Sequence, residues 1–509
     1  MNTSSGFSAS RRKALRSLAA GVIAGGGLSA GCAPAVHGSR AADKRRPNIV
    51  FIMTDDHSRT AMSLYGNRIL QTPNLDRIAH EGLRFDEAFV TCSLCLPSRA
   101  SYLTSQYPHT HGLRTNGEEA GFTAEPRLRN AATWPNLLRA QGYHTGVVGK
   151  WHINTLPENY DYIAVLKGQS VYFDPPMYID GEWHDQKGHT DDLIGDHALR
   201  FLKNRPRDKP FALCYQFKAP HREWQPAPRF ARRFDDVEVP LPVSFFESLQ
   251  HRSHAVQQTM MRIREMPDFR KLQPGGKLDE DTAARLNWQN FIKNYYRVLL
   301  GVDENVGRVL DWLDRAGLAE NTLVVYTTDN GFFLGEHGLF DKRLMYEPAI
   351  RVPLLVRWPQ GIRPGSVDGT HMTLNIDVAP TMLSLAGVSV PATMQGANWL
   401  PLFAGDVRTW RTDFLYEYYE FPGVHCVRPH RGVRDARFKL IEFWRDPAEY
   451  ELYDLKNDPD EERNLVDDPA FAAEKARLKT RMAALREQYA DHDPPDYLPP
   501  QQIPQACHY

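Results

Sequence analysis

The sequence predicts an α/β fold: a large, mostly parallel sheet sandwiched by helices, followed by a small C-terminal α+β antiparallel subdomain. Short apolar runs of strand length, such as residues 48–54 (NIVFIMT), alternate with helical patterns over roughly 350 residues. Continuous apolar runs indicate strands buried on both faces, as in parallel sheets covered by helices. After Trp410 helical patterns no longer separate the strands, which favours antiparallel pairing there.

The elements of the main sheet follow one another along the chain. Pro73 in the first turn and Gly82 just past the last turn mark the first helix. Apolar residues recur at helical spacing over 286–313, and Gly317 lies just beyond the end of this stretch. The predicted strands cover residues 48–54, 144–149, 211–217, 322–327 and 352–358, and the predicted helices cover residues 73–82, 191–204, 286–313 and 375–385.

The C-terminal part predicts strands at 414–421, 432–444 and 451–455, followed by an exposed helix at 468–490. A proline-rich stretch at 494–504 indicates an extended tail. We therefore expect four segments, namely a leader and linker at 1–45, a main α/β domain at 46–408, an α+β subdomain at 409–492 and a tail at 493–509.

The chain has 509 residues, of which 42% are hydrophobic and 24% are charged, and this composition excludes collagen-like, disordered and polytopic membrane proteins. Six cysteines are too few for a disulfide-dense scaffold. The 61 basic and 62 acidic residues nearly balance, but residues 1–46 contain eight Lys/Arg and one Asp, so the remainder is acidic. An acidic body argues against nucleic acid as a partner, because nucleic-acid binding needs a broad positive surface.

The N-terminus has the order of basic, apolar and small residues that is typical of an export signal. Residues 10–15 (SRRKAL) resemble a twin-arginine signal, which implies the twin-arginine export machinery as a partner and a periplasmic or cell-envelope location. The apolar run at 18–30 is short and rich in glycine, so we expect no transmembrane domain in the mature protein. Residues 28–32 (LSAGC) resemble a lipoprotein cleavage box, with Cys32 as the candidate anchor.

The strongest local signal is the string CLPSRASYLTS at 95–105. Pro97 is tolerated in the first turn of a helix, where its missing N–H costs nothing. Cys95 would then lie at the positive end of the helix dipole with Arg99 one turn away, and both features favour an anion. A lone cysteine at this place would more readily be a buried structural thiol. The whole string, however, resembles the signature of the sulfatases, an alkaline-phosphatase-like family, although Ser105 stands where Gly is common.

This resemblance, which runs from Pro47 to about Asp468, implies a specific chemistry. In the family the cysteine is oxidised to formylglycine, so Cys95 would be modified by a formylglycine-generating maturation enzyme. The aldehyde hydrates to a geminal diol, one hydroxyl attacks sulfur, and a covalent sulfate ester forms. The second hydroxyl then loses its proton and expels sulfate, a route that an unmodified Ser or Cys lacks.

Acidic and amide side chains follow two of the predicted buried strands. Asp55 and Asp56 come directly after the first strand, and Asp329 and Asn330 follow the strand at 322–327. At the carboxyl ends of neighbouring strands these groups would form a hard, oxygen-rich site for Ca²⁺ or Mg²⁺. Each pair alone would also fit a helix cap or a tight turn.

The sulfatase resemblance implies that these four residues are metal ligands, with residue 95 supplying a further oxygen. We expect Ca²⁺ first, because four protein ligands and a sulfate oxygen exceed what Mg²⁺ usually accepts from protein.

Several cationic residues fall at positions that the family uses, although each alone would more often be a surface residue. The resemblance implies that Lys150, His221 and Lys342 contact sulfate oxygens, and that Arg99 belongs to the same anion site. His152 would assist the geminal diol, as the base in sulfate release. Either His221 or Lys342 would protonate the leaving alcohol, and the sequence leaves both open.

The substrate is less strongly indicated than the reaction. Aromatic and basic residues at 418–434, among them His425 and Arg434, would suit the rim of a cleft that binds a sulfated sugar. They would fit a packed antiparallel sheet with exposed charges equally well. His337 lies where the family often has a histidine, so a sulfate or substrate contact and a plain loop turn are both open. With residues 341–347 (DKRLMYE), this pattern resembles the carbohydrate sulfatases, nearest to N-acetylglucosamine-6-sulfatases and the heparan- or mucin-desulfating members.

Other functions stay open at this point. An arylsulfatase or an iduronate-2-sulfatase-like enzyme would share the same site residues. A phosphonate monoester or phosphodiester hydrolase of the same superfamily can carry the same cysteine string. A glycan-binding homologue without catalysis is the least expected, because Cys95 and the full set of candidate metal ligands are present.

Overall fold

The computed structural model describes residues 46–117, 128, 131–153, 155–266, 278–444, 448–492 and 507. The export-signal predictions, including Cys32, and the tail at 494–504 lie outside these residues. The strands are β1 Asn48–Thr54, β2 Leu83–Phe85, β3 Ala88–Phe89, β4 His144–Gly149, β5 Tyr162–Leu166, β6 Pro176–Ile179, β7 Glu182–Asp185, β8 Phe211–Gln216, β9 Thr322–Thr328, β10 Phe333–Leu334, β11 Phe340–Asp341, β12 Leu354–Arg357, β13 Ser366–Asp368, β14 Thr373–Leu374, β15 Asp413–Tyr418, β16 His430–Asp435, β17 Phe438–Phe443 and β18 Glu449–Asp454.

Strand β1 lies in the middle of a ten-stranded sheet formed by the described residues, in the order β13-β2-β12-β9-β1-β8-β4-β5-β6-β7. The central strands β9, β1, β8, β4 and β5 are parallel, and antiparallel pairs occur only towards the two edges. All seven residues of β1 are buried, because both faces of the sheet are covered. The predicted mostly parallel sheet is therefore confirmed.

Helices cover both faces of this sheet, as the alternation of patterns predicts. The α-helices are α1 Pro73–His80, α2 Cys95–Thr104, α3 Pro108–His111, α4 Trp134–Ala140, α5 Thr190–Asn204, α6 His254–Gln257, α7 Glu280–Arg315, α8 Glu347–Ile350, α9 Val378–Leu385, α10 Leu400–Ala404 and α11 Ala472–Tyr489. Alternate side chains of β1 enter two separate cores. Phe51 packs in the core that includes α2, α4 and α9, and Val50 packs in the core that includes α1, α5 and α7.

The C-terminal part folds as a four-stranded antiparallel sheet, β15-β16-β17-β18, against which α11 packs. The sequence indicated a single strand over 432–444, but the structure divides this stretch into β16 and β17. The turn forms because the Asp435 carboxylate accepts hydrogen bonds from the backbone N–H groups of Arg437 and Phe438 at 2.8 and 2.7 Å. This sheet belongs to the same compact unit as the main sheet.

Two further features were not predicted from the sequence. The strands β5, β6 and β7 extend one side of the main sheet. A disulfide joins Cys426 to Cys507, whose Cα atoms lie 5.6 Å apart. None of the helices in the described part of the chain is long and apolar enough to cross a membrane.

Gly149, the last residue of β4, allows the chain to turn into the loop that carries Lys150. Its φ is +95°, and a Cβ placed on it would lie 1.7 Å from the backbone oxygen of Gln216 in β8. The main sheet therefore depends on a glycine at this position.

We expect Gly149→Ala to lower the free energy of unfolding by about 3 kcal/mol or more, because left-handed strain and a backbone clash add together. Gly387→Ala is the matched control, since Gly387 has φ +69° and no atom lies within 4 Å of the place that an added methyl group would take. It should cost about 1 kcal/mol. Calorimetric unfolding of both variants checks the difference, and equal losses would contradict the close approach at β8.

Candidate active site

The carboxyl ends of β1 and β9 lie side by side and bring four polar residues together. The two strands pair in parallel register, with Thr54 opposite Thr328. The backbone N–H of Asp56 donates to Asp329 Oδ1 at 3.0 Å, and Asn330 Nδ2 donates to Asp56 Oδ1 at 2.6 Å. Asp55, Asp56, Asp329 and Asn330 have no exposed surface. The predicted ligand set therefore forms one buried group.

Cys95 begins helix α2 and points to the same group. Its Sγ lies 4.0 Å from Asp56 Oδ1, and the cysteine is fully buried. Leu94, in extended conformation, precedes the helix, and Pro97 occupies its first turn as predicted. The N-terminal end of α2, with its partial positive charge, thus faces the buried carboxylates.

Arg99 holds the start of α2 against the strand ends. Its Nε donates to Asp329 Oδ2 at 2.8 Å, and its Nη1 donates to the carbonyl oxygen of Lys150 at 2.7 Å. Nη2 lies 3.7 Å from Asp55 Oδ1. The guanidinium group therefore offsets two carboxylates and joins three segments of chain.

Three further basic side chains surround the same two aspartates. Lys150 Nζ forms an ion pair with Asp55 Oδ2. Lys342 Nζ lies 2.6 Å from Asp56 Oδ2, and His221 Nε2 lies 3.8 Å from that oxygen. Lys150 follows β4, Lys342 follows β11 and His221 lies in the loop after β8, so the fold gathers basic side chains around a small buried volume.

His152 lies beside this group in an uncommon backbone conformation. Its φ is +47°, and Asp56 has φ +70°. His152 Nε2 lies 3.3 Å from the side-chain nitrogen of Gln169, while its Nδ1 is buried with no hydrogen-bond partner among the described residues. The imidazole is therefore held at one nitrogen and free at the other.

Burial and the neighbouring charges act on the pKa of these carboxylates in opposite directions. Burial would raise the pKa of Asp55, but the charges of Lys150, His221 and Arg99 outweigh it and hold the pKa well below its usual value. Burial and the negative charge of Asp55 raise the pKa of Asp329 to about 7. The protein's own cations therefore do not fully offset the carboxylates.

The same burial bears on the chemistry of Cys95. Burial raises the pKa of the Cys95 thiol well above its usual value, even though Lys342 and Lys150 lower it. An unmodified Cys95 is therefore a protonated thiol, and the thiol is a much weaker nucleophile than the thiolate.

The donor set fits a hard divalent cation. Asp55 Oδ1 and Asn330 Oδ1 are buried without a hydrogen-bond partner among the described residues. Ligand atoms of Asp55, Asp56, Cys95 and His221 lie within 4.8 Å of one another. Carboxylate and amide oxygens are the ligands that Ca²⁺ and Mg²⁺ prefer.

The structure places the three predicted substrate contacts in different surroundings. His425 Nε2 lies 3.1 Å from Asp341 Oδ2. Because Asp341 directly precedes Lys342, His425 lies close to the group around Cys95. His337 Nδ1 lies 2.6 Å from Glu247 Oε2, beside a cleft of about 490 Å³ that contains no residue of the group around Cys95.

Arg434 is 4% exposed and is paired inside the protein. It contacts Glu87 and Glu347 at 3.0 and 3.4 Å, and its guanidinium lies 4.3 Å from the centre of the Phe89 ring. These contacts give Arg434 a role in packing and do not support substrate contact.

Three residues that were not predicted from the sequence, Gln169, Lys218 and Asp341, also lie close to the catalytic candidates. Lys218 is 2% exposed and donates to the carbonyl oxygen of Gln169 at 3.0 Å. Gln169 follows β5, a strand that was not predicted either, so no pattern drew attention to it. Lys218 and Asp341 are direct neighbours of predicted segments, and only their burial distinguishes them.

A buried cysteine at a helix start, beside a cation-rich and oxygen-rich site at the carboxyl edge of an α/β sheet, defines a hydrolase for anionic esters. The family described as Sulfatase matches residues 47–388, and the family described as N-sulphoglucosamine sulphohydrolase, C-terminal, matches residues 335–488. The chain belongs to the sulfatase family and is a sulfuric ester hydrolase, and the family uses a metal and formylglycine.

Relatives cover most of the chain. An N-acetylglucosamine-6-O-sulfatase from Bacteroides thetaiotaomicron is 38% identical, covering 89% of this chain and 88% of its own length. The human N-acetylglucosamine-6-sulfatase is 30% identical, covering 84% and 82%. A solved structure of a protein in complex with its substrate D-glucosamine-2-N,6-O-disulfate matches with a TM-score of 0.82 at 37% identity, covering 88% of this chain and 99% of that one.

A phosphonate monoester hydrolase from Agrobacterium radiobacter matches with a TM-score of 0.71 at 19% identity, covering 87% of this chain and 96% of that one. Identity at this level shows the shared fold alone.

We expect Asp329→Asn to weaken Ca²⁺ binding and to lower kcat by about 100-fold or more, because one charge leaves a hard-cation site. Calorimetric titration of metal-stripped protein with Ca²⁺ and turnover after its return give the two measurements. Asp406→Asn is the control, since the Asp406 side chain is 78% exposed. A stripped sample with full activity would show that this group holds no essential metal.

Proposed function

We propose that the protein removes 6-O-sulfate from N-acetylglucosamine or a related glucosamine unit of a sulfated glycan. The observation that carries the reaction is the position of Cys95, with Sγ 4.0 Å from Asp56 Oδ1 while Lys342 Nζ lies 2.6 Å from the other oxygen of that carboxylate. The substrate class is supported by the N-acetylglucosamine-6-sulfatases among the relatives that cover most of the chain, and by the disulfated glucosamine bound in a structural relative.

Formylglycine at residue 95, once hydrated, would supply two hydroxyls on one carbon, one to attack sulfur as the alcohol leaves and one to expel sulfate afterwards. A Ca²⁺ ion held by Asp55, Asp56, Asp329 and Asn330 would polarise the sulfate and favour deprotonation of a hydroxyl. These roles require a maturation enzyme that oxidises Cys95 before the protein acts.

The chain's own cations then bind and orient the sulfate group. Lys150 and Lys342 place ammonium groups at the buried carboxylates, where they would also face sulfate oxygens. Arg99 fixes the start of α2 through its bonds to Asp329 and Lys150. His221 and Lys342 are the two candidates for the acid that protonates the leaving alcohol.

His152 is the candidate that assists the second hydroxyl, because it is the neighbouring imidazole with an unpaired buried nitrogen among the described residues. His425 is the proposed sugar contact, since it bonds Asp341 next to Lys342. We further propose that the protein is exported through the twin-arginine route to the periplasm or cell envelope. That proposal rests on residues 10–32 alone.

We expect Cys95→Ala to abolish sulfate release while leaving the thermal unfolding midpoint nearly unchanged, because a small buried side chain is replaced by a smaller one. Mass spectrometry of the peptide spanning Cys95 from active protein should show a carbonyl oxygen in place of the thiol sulfur. Cys92→Ala is a matched control, since Cys92 is also a fully buried free cysteine. An untouched thiol in fully active protein would exclude the proposed nucleophile.

We expect kcat/KM to be highest on N-acetylglucosamine-6-sulfate and glucosamine-6-sulfate within a panel of sulfated sugars. The panel should also contain 2-O-sulfated iduronate, an aryl sulfate and an aryl phosphonate monoester, which represent the other functions that the sequence leaves open. Released sulfate or phosphonate product is measured directly. Preference for the iduronate or phosphonate member would overturn the proposed substrate. The role of Cys95 would still be decided by the Cys95→Ala variant and the peptide mass.

A further inference from the structure

We propose that Tyr295 of α7 is a positioning residue that fixes the backbone of the candidate metal ligand Asp56. Its hydroxyl donates to the carbonyl oxygen of Asp56 at 2.5 Å and accepts from the backbone N–H of Ser58 at 2.8 Å. Tyr295 has no exposed surface, and its hydroxyl uses both its donor and an acceptor position on this one turn. The inference rests on the proposed function, in which Asp56 helps to hold Ca²⁺.

The turn after β1 needs such a contact because its backbone is in an uncommon conformation. Asp56 has φ +70°, in the left-handed region, where a residue other than glycine stays only when its surroundings hold it. Asp56 and Ser58 are both buried, so the carbonyl oxygen of one and the N–H of the other each need a hydrogen-bond partner. The N–H of His57, between them, donates to Thr328 Oγ1 at 3.0 Å. Tyr295 serves the two flanking groups at once.

The other contacts of Asp56 differ in kind from this one. Asp329 accepts from the N–H of Asp56, while Asn330 and Lys342 contact its carboxylate. All three partners are themselves members of the proposed metal and sulfate site, so their positions depend on what the site holds. The Tyr295 hydroxyl bonds backbone atoms and is not a member of that site. It can therefore hold the turn whether or not the ion is present.

The ring of Tyr295 extends the same hold to the second ligand loop. It stacks on the ring of Phe332, with ring centres 5.9 Å apart and planes inclined by 29°. Phe332 lies two residues after Asn330. Phe291, one turn earlier on α7, packs against both rings. One side chain of α7 thus contacts both loops that carry candidate ligands, by its hydroxyl after β1 and by its ring after β9.

Tyr295→Phe separates these two contacts, because it removes the hydroxyl and keeps the ring on Phe332. The carbonyl oxygen of Asp56 and the N–H of Ser58 then lose a shared partner, which is costly for buried groups. These two groups could bond each other only in a γ-turn centred on His57, which changes the backbone angles of this segment. We therefore expect the carboxylate of Asp56 to lose its fixed position.

We expect Tyr295→Phe to raise the Kd for Ca²⁺ by about 10- to 100-fold, the range found when a hydrogen-bond partner of a metal ligand is removed. Calorimetric titration of matured, metal-stripped protein with Ca²⁺ gives this value. The rise in the unfolding midpoint that Ca²⁺ produces is a second readout, and at equal Ca²⁺ concentration it should be smaller in the variant. Neither measurement depends on turnover.

Tyr143→Phe is the matched control. Tyr143 is 2% exposed, and its hydroxyl donates to the carbonyl oxygen of Pro47 at 3.0 Å. Pro47 precedes β1 at the end opposite to the site, about 20 Å away along the strand. Each variant loses one buried hydroxyl, so both should lower the unfolding midpoint of the metal-free protein. Only Tyr295→Phe should weaken Ca²⁺ binding.

A Tyr295→Phe protein that binds Ca²⁺ as tightly as the wild type, or equal losses of Ca²⁺ affinity in both variants, would overturn the inference. Should Tyr295→Phe not fold, hydrogen exchange at the Ser58 amide of the wild type decides alone. Slow exchange is expected, and rapid exchange in the Ca²⁺-loaded protein would contradict the bond to Tyr295.

The same measurements separate this inference from the proposed function. A wild type that binds Ca²⁺, and loses affinity in Tyr295→Phe, but releases no sulfate from 6-sulfated glucosamine would support the inference and count against the proposed function. A wild type that binds no divalent cation would overturn both.

Discussion

The rest of this structure depends on three carboxylates that are buried at the ends of two parallel strands. Asp55, Asp56 and Asp329 have no exposed surface, and burying charge without compensation is strongly unfavourable. Hydrogen bonding from Asn330 and the backbone offsets only part of this cost. Burial and the negative charge of Asp55 raise the pKa of Asp329 to about 7, even beside Arg99. A divalent cation bound by these oxygens would offset the remaining negative charge. Without it, the three carboxylates would repel a sulfate group.

The cations that offset these carboxylates come from distant parts of the chain, which explains why the site needs the whole fold. Arg99 lies on α2, Lys150 follows β4, and Lys342 follows β11. Parallel strands place their carboxyl ends at one edge of the sheet, so short loops after several strands can meet there. The close approach of Gly149 to β8 brings the Lys150 loop to that edge. The packing of the sheet at Gly149 and the position of Lys150 therefore depend on the same close contact.

The sequence predicted the fold class and the members of the site better than it predicted their partners. Apolar strands and the string around Cys95 are local patterns, so periodicity and motif order suffice to find them. The hairpin at Asp435 and the Cys426–Cys507 pair depend on contacts between segments, which a linear pattern does not encode. Arg434 illustrates the limit, because an arginine near an aromatic cluster looks the same in sequence whether it faces a ligand or, as here, two buried glutamates. Gln169 was missed for the same reason.

The ion pairs at Arg434 belong to a cluster that fixes the C-terminal sheet against the main domain. Glu347 on α8 lies 3.1 Å from Lys439 on β17, and Lys439 lies 2.6 Å from Glu461. Breaking one partner of a buried ion pair is costly, since the remaining charge is left uncompensated. The cluster therefore holds α8, which begins five residues after Lys342, at a fixed distance from the C-terminal sheet, in which His425 lies between β15 and β16. In the proposed function His425 contacts the sugar and Lys342 binds the sulfate. The buried ion pairs of the C-terminal sheet therefore fix the distance between these two residues.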